Sequence, residues 1–254
     1  MRGIISRFAP APTGFLHLGH ASNAAIVWRE TRARGGRVLL RIEDHDRQRS
    51  RPEFEVAILE DLAWLGFEAD APAVRQSERD DIYRQALDTL RRRGLVYACD
   101  CSRSTRYPGT CRDRGLAEGS GLGLRVRLEP SVERFVDLRL GPQTQRPSEQ
   151  CGDLLVRDRD GNWTYQFAAT VDDFVQSVTL VVRGVDLLDS TGRQIQLARL
   201  LGRVEPPSFL HHGLIMKTPD QKLSKSDGDT GVRELRARGW TRADVIARAL
   251  SLVE

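Results

Sequence analysis

The stretch RFAPAPTGFLHLGH, residues 7–20, constrains the fold more than any other part of the chain. The apolar run IISRF (4–8) leads into it and reads as a buried strand. Pro10 and Pro12 fix an extended turn, and beyond Thr13, Gly14 permits backbone angles closed to other residues. LGHASNAAIVWRETRA (18–33) then has helical spacing and small residues. A helix that starts at such a turn points free N–H groups out of its first turn, and these attract phosphate. His17 and His20 stand three apart on one face of that turn, and Gly19 between them leaves room for a flat ligand. The pattern suits a nucleoside triphosphate, with imidazole donors on the phosphates and adenine against the glycine. Two surface histidines beside a loop are the plainer alternative.

The rest of the chain continues the theme. Gly35 and Gly36 end the helix, and RVLLRIED (37–44) is a second apolar strand. A helix follows Pro52 and stops at Gly66, and another runs from about Ser77 to Arg93. Strand, helix, strand, helix predicts a parallel α/β unit. Between Tyr97 and Trp163 the pattern changes to short alternating strands (LRVRLE, ERFVDLRL, DLLVRDRDG), with a hairpin turn at Asp160-Gly161. Helix YQFAATVDDF, strand SVTLVVRG (177–184), helix RQIQLARLLG and strand SFLHHGLIM (208–216) then restore the α/β alternation. A helical tail at 241–252 follows. The expected fold is α/β: a Rossmann-like parallel sheet in two halves, 1–96 and 164–226, interrupted by a β-rich subdomain at 97–163 and closed by a tail at 227–254.

Composition narrows the setting. With 40% hydrophobic and 29% charged residues the chain reads as soluble and globular. No apolar run reaches the ~18 residues of a membrane span, and the N-terminus lacks a signal peptide, so a cytoplasmic protein without a membrane partner is expected. A net charge of +4 permits nucleic-acid binding without requiring it. Among 39 basic residues only three are lysine, and Lys217, Lys222 and Lys225 fall within nine positions. Lysine is a compact, mobile charge where arginine is a planar fork, so the cluster points to a site that follows a phosphate. Three of the four cysteines, Cys99, Cys101 and Cys111, lie within thirteen positions, which suits a metal site better than disulfides.

The segment KLSKS (222–226) sets two lysines among small hydroxyl residues. Together, His-Leu-Gly-His and Lys-Leu-Ser-Lys-Ser resemble the paired motifs of class I aminoacyl-tRNA synthetases. RFAPAPTGFLHLGH, RIEDHDRQRS and VVRGVDLLDSTGRQIQLARLLG are similar to the glutamyl branch, over nearly the whole chain. The resemblance implies ATP, with Mg²⁺, bound by Pro10, Thr13, Gly14, His17, Gly19, His20 and Lys225. It implies catalytic roles for His17, His20, Lys222 and Lys225. It also implies a glutamate pocket of Arg7, Ala9, Glu43, Tyr165 and Arg183. An arginine for a carboxylate and an anion for an ammonium fit that substrate. Ala9 departs from the family, which often has serine there. Only 28 residues follow Ser226, so the expected relatives are the shortened glutamyl-queuosine tRNA(Asp) synthetases, which esterify glutamate to queuosine in the anticodon of tRNA(Asp). Their zinc site is similar to Cys99, Cys101, Tyr107 and Cys111, and implies one structural Zn²⁺. A monomer is expected. A truncated glutamyl-tRNA synthetase charging tRNA(Glu), a non-catalytic RNA-binding paralogue and a nucleotidyltransferase for another acid are the alternatives.

Overall fold

A computed structural model describes residues 3–46, 48–102, 106–214, 216–218, 221–222 and 231–253. In chain order the first elements are β1 (Ile5–Phe8), α1 (Leu18–Arg32), β2 (Arg37–Ile42), α2 (Pro52–Leu65), β3 (Val74–Arg75), α3 (Asp80–Arg92), β4 (Val96–Cys99) and β5 (Gly123–Val126). Then come β6 (Glu133–Asp137), β7 (Gly141–Gln145), α4 (Pro147–Gln150), β8 (Leu154–Arg157), α5 (Tyr165–Val175), β9 (Leu180–Gly184) and α6 (Thr191–Leu200). The last are β10 (Ser208–His212), β11 (Met216–Thr218), β12 (Gln221–Lys222), α7 (Val232–Ala237) and α8 (Arg242–Ser251). Two compact units emerge: Met1–Glu78, Val178–Leu188 and Pro207–Glu254 form one, Arg79–Ser177 and Asp189–Pro206 the other. Among the described residues no helix is long and apolar enough to cross a membrane.

In the first unit β1 and β2 pair in parallel, Ile5 opposite Arg37 and Phe8 opposite Leu40, and β2 pairs in parallel with β3. β9 and β10 form a second parallel pair. Thr179 ties that pair to β1: its N–H donates to Ile5 O at 2.8 Å, and Ile5 N donates to its hydroxyl at 2.9 Å. The chain thus winds outward from β1 in both directions. In such sheets ligands bind beyond the carboxyl ends of the strands, where the winding reverses. Val38, Leu40 and Ile42 of β2 are buried with Ala21, Ala24 and Val27 of α1 and Val245 and Ala249 of α8. Each large apolar side chain in this core contributes roughly 1.5–3 kcal/mol. α2 begins at Pro52 with Glu53 and Glu55 in its first turn, and ends where Gly66 takes φ +80°.

In the second unit β4, β5 and β8 form an antiparallel sheet. Leu124, Val126 and Val156 of this sheet pack with Tyr83 and Leu87 of α3, Phe167 of α5 and Leu197 of α6. Gly161 takes φ +82° in the turn after β8, where Asp158 N donates to Asn162 O at 2.9 Å.

Several boundaries differ from the sequence reading for local reasons. The helix expected from Ser77 starts at Asp80, because Asp44 draws the N–H and hydroxyl of Ser77 (2.8 and 2.6 Å) into a 3-10 turn. The run ERFVDLRL breaks after Asp137, whose carboxylate accepts from the N–H groups of Arg139 and Leu140 (3.0 and 2.9 Å). The chain then turns back as β7, with Gly141 at φ +76°. β10 stops at His212, and the following strand begins at Met216. The helices α4 and α7, four and six residues long, are too short for periodicity to reveal.

Candidate active site

The turn after β1 is pinned from outside. Pro10 O accepts from Glu43 N and Pro12 O from Arg51 N, both at 3.0 Å. His17 is the N-cap of α1, and the two histidines build its capping box. Gly19 N donates to His17 Nδ1 at 3.0 Å, and His17 N donates to His20 Nδ1 at 3.2 Å. A backbone N–H only donates, so both Nδ1 atoms accept and both neutral rings carry their hydrogen on Nε2. The rings lie 3.9 Å apart. Two imidazole N–H donors at a helix N-terminus form an anion-binding arrangement. A Cβ on Gly19 would stand 2.8 Å from His17 Cε1, so the space beside this glycine holds the His17 ring itself. That is a different use of Gly19 from the open approach its sequence context suggests.

Four of the five predicted glutamate residues share the first unit, at or just beyond the carboxyl ends of its parallel strands. Arg7, on β1, is buried and donates through Nη1 to Val182 O of β9 at 3.3 Å. Glu43 directly follows β2 and is buried, with Oε1 3.4 Å from Nη2 of Arg41. Arg183, on β9, is buried and donates through Nε to His211 Nε2 at 3.0 Å. Ala9 is half-buried in the loop after β1, and Tyr165 opens α5 in the second unit. Lys222 ends β12. Lys225 lies outside the described residues.

Two residues here escaped the sequence reading. Arg41 is 0% exposed beneath Glu43, and His211 is 0% exposed opposite Arg183 in the β9–β10 register. Arg41 was within reach, since residues two apart on a strand share a face. His211 needed the pairing of two strands separated by a helix.

In the second unit Cys99, Cys101 and Cys111 bring their sulfurs within 4.8 Å of one another. All are free thiols, and Cys101 and Cys111 Sγ are 3.5 Å apart. Tyr107 Oη accepts from Cys111 N at 2.7 Å and lies 3.8 Å from Cys99 Sγ. Ligands about 2.3 Å from a tetrahedral zinc ion stand about 3.8 Å apart, so the donor set fits that ion. Arg125 covers the Tyr107 ring at 3.7 Å and donates to Cys99 Sγ at 3.2 Å, and Arg114 Nη1 is 3.4 Å from Cys111 Sγ. The hydrogen bond with Cys111, burial and nearby Cys99 push the Cys101 thiol up to about 11. Burial also works against the Cys99 thiolate, but the Arg125 hydrogen bond and its other donors bring Cys99 below the ordinary thiol range. Cys151 stands apart, buried, with Sγ donating to Pro147 O at 3.0 Å.

Comparison with known proteins shows the family. The chain is 39% identical to a glutamyl-Q tRNA(Asp) synthetase of Rhodobacter capsulatus, over 95% of this chain and 98% of that protein. It is 45% identical to the enzyme of that name from Pseudomonas aeruginosa, over 87% of this chain and 77% of that one. Among solved structures it resembles a glutamate–tRNA synthetase of Elizabethkingia anophelis, with a TM-score of 0.78 at 28% identity. That match covers 90% of this chain and 54% of the other, so the chain spans about half the length of that solved relative. The catalytic-domain family of class I tRNA synthetases (E and Q) matches residues 3–105 and 112–251. With that match across both units, the chain belongs to the class I tRNA synthetases of the glutamate and glutamine branch.

Proposed function

We propose that the protein activates L-glutamate with ATP and transfers it to the queuosine of tRNA(Asp). The observation that carries this reading is the 39% identity over 98% of a relative named for that reaction. The glutamate carboxylate is ionised at neutral pH and needs no general base. It attacks the α-phosphorus of ATP, which enters as its Mg²⁺ complex, and pyrophosphate leaves with the electron pair of the broken P–O bond. A queuosine hydroxyl then attacks the carbonyl of the adenylate, loses its proton, and AMP departs.

Each residue role is part of the proposal. Arg7 holds a glutamate carboxylate as a planar fork, with its guanidinium braced on Val182 O. Glu43 takes the ammonium, and Arg183, oriented by His211, supplies the second cationic contact. The Nε2–H donors of His17 and His20 stabilise charge growing on the phosphates. Lys222 and Lys225 neutralise the leaving pyrophosphate, and the chain carrying them rejoins the turn where Gly231 bridges to His17. Cys99, Cys101, Tyr107 and Cys111 would hold one structural zinc, which supplies folding energy to a segment with little apolar core.

The test uses labelled glutamate, ATP and tRNA from cells with and without queuosine, followed by ribonuclease mapping of the label. Label confined to the anticodon fragment of queuosine-bearing tRNA(Asp) supports the reading. Label on the 3′-terminal fragment of tRNA(Glu) makes the protein a glutamyl-tRNA synthetase instead. No adenylate and no product overturns both.

A further inference from the structure

α7 carries Arg233 and Arg236, three positions apart, and both meet α2. Arg233 pairs with Glu60 and has Nε 3.5 Å from Asp61 Oδ1, while the Arg236 guanidinium lies 5.3 Å from the Trp64 ring. Arg233 also lies over Phe15, 5.5 Å from the ring centroid, and Phe15 meets Phe54 of α2 edge-on at 5.0 Å. Phe15 is 42% exposed, and these two ring contacts help hold it in place. Main-chain links run alongside. Val232 N donates to Leu16 O at 2.9 Å, and Gly231 bridges to His17. Residues 15–17 and 231–233 are thus fastened at three successive points.

The anchor of this strip is unusual. Asp61 is 1% exposed and neither carboxylate oxygen accepts a hydrogen bond. A buried carboxylate depends on nearby positive charge. Arg233 and Arg236 supply it, against Glu60 and Glu234. Arg233 therefore bridges a buried anion on α2 and an exposed ring two residues before His17.

We propose that Arg233 is a positioning residue for ATP: fixed by Glu60 and Asp61, it holds Phe15 and thereby the His17–His20 turn. The inference rests on the reading that this turn binds the phosphates of ATP. Hydrogen-bond donors lose their effect when displaced by about 1 Å, so a fastening outside the site controls what happens within it.

Glutamate-dependent exchange of pyrophosphate into ATP, measured on the full chain, tests this. Arg233→Met keeps the stem and removes the charge. The KM for ATP should rise about tenfold with the KM for glutamate unchanged, and Arg233→Lys should recover most of the loss. Phe15→Leu should reproduce the effect, and the double variant should add little to either change alone. An unchanged KM for ATP in both single variants overturns the proposal. So does an equal rise for ATP and glutamate, which a general loosening of the fold produces. If the wild type itself shows no exchange, the activation reading fails and the inference falls with it; wild-type activity with indifferent variants defeats the inference alone.

Discussion

At His17, Nδ1 accepts the Gly19 N–H while the proposed function gives Nε2–H to the phosphates of ATP, and substitution can separate the two. Asparagine is among the best N-caps, so His17→Asn should keep the helix start and lose the Nε2–H donor. Thermal stability should stay close to wild type while adenylate formation falls on the order of a hundredfold. His17→Ala should lose about 1 kcal/mol of stability as well; equal melting temperatures for the two variants would remove the capping role. Asp61 gives a second prediction at this scale. Burial pushes its carboxyl up to about 6 from 3.8, outweighing the pull of Arg233 and Arg236. The folded chain therefore binds the proton more tightly than the unfolded chain. The destabilisation is absent below pH about 4, grows as pH rises toward 6, and reaches at most about 3 kcal/mol above that. Asp61→Asn should gain stability relative to wild type at pH 7.5 and lose most of that gain at pH 4.5 in urea unfolding; a gain independent of pH would contradict it. The sequence placed both histidines at a helix mouth from spacing alone. It could not reveal that the His17 ring fills the space beside Gly19, because that depends on a side-chain rotamer.

Elements were legible where periodicity is long and obscured where side chains cut it short. β2 and α2 follow from an apolar run and from Pro52 and Gly66. Asp44 and Asp137 redirect the chain through side-chain bonds to the backbone, which no periodicity records. The segment around Cys99 and Cys111 makes its own prediction. Arg125 donates to Cys99 Sγ and Arg114 Nη1 lies 3.4 Å from Cys111 Sγ, positive charge that would help these sulfurs bind a divalent cation as thiolates. Metal analysis should find about one zinc per chain. Cys111→Ser should lower the melting temperature and zinc content together, and a stable, metal-free wild type would reject the site.

Across the whole molecule, the alternation of strands and helices made the α/β class readable, while the order of strands did not follow from it. Arg7, Glu43 and Arg183 belong together because β2 lies on one side of β1 and β9 on the other, and that arrangement comes from crossovers rather than local pattern. The charge balance also belongs to this scale. With 36 of 39 cations arginine and a net charge of +4, tRNA affinity should fall steeply between 50 and 200 mM salt, in the manner of counterion release. Affinity insensitive to salt would argue against phosphate contacts.

The capping box has a consequence for how such chains evolve. A lineage that no longer used the reaction would still be selected to keep a capping side chain at position 17, histidine or a substitute such as asparagine, because losing the cap frays the first helix. Its decay would begin at residues that carry chemistry without carrying structure. In this chain a histidine rather than an asparagine at that position is what the proposed chemistry, and not the helix cap, requires.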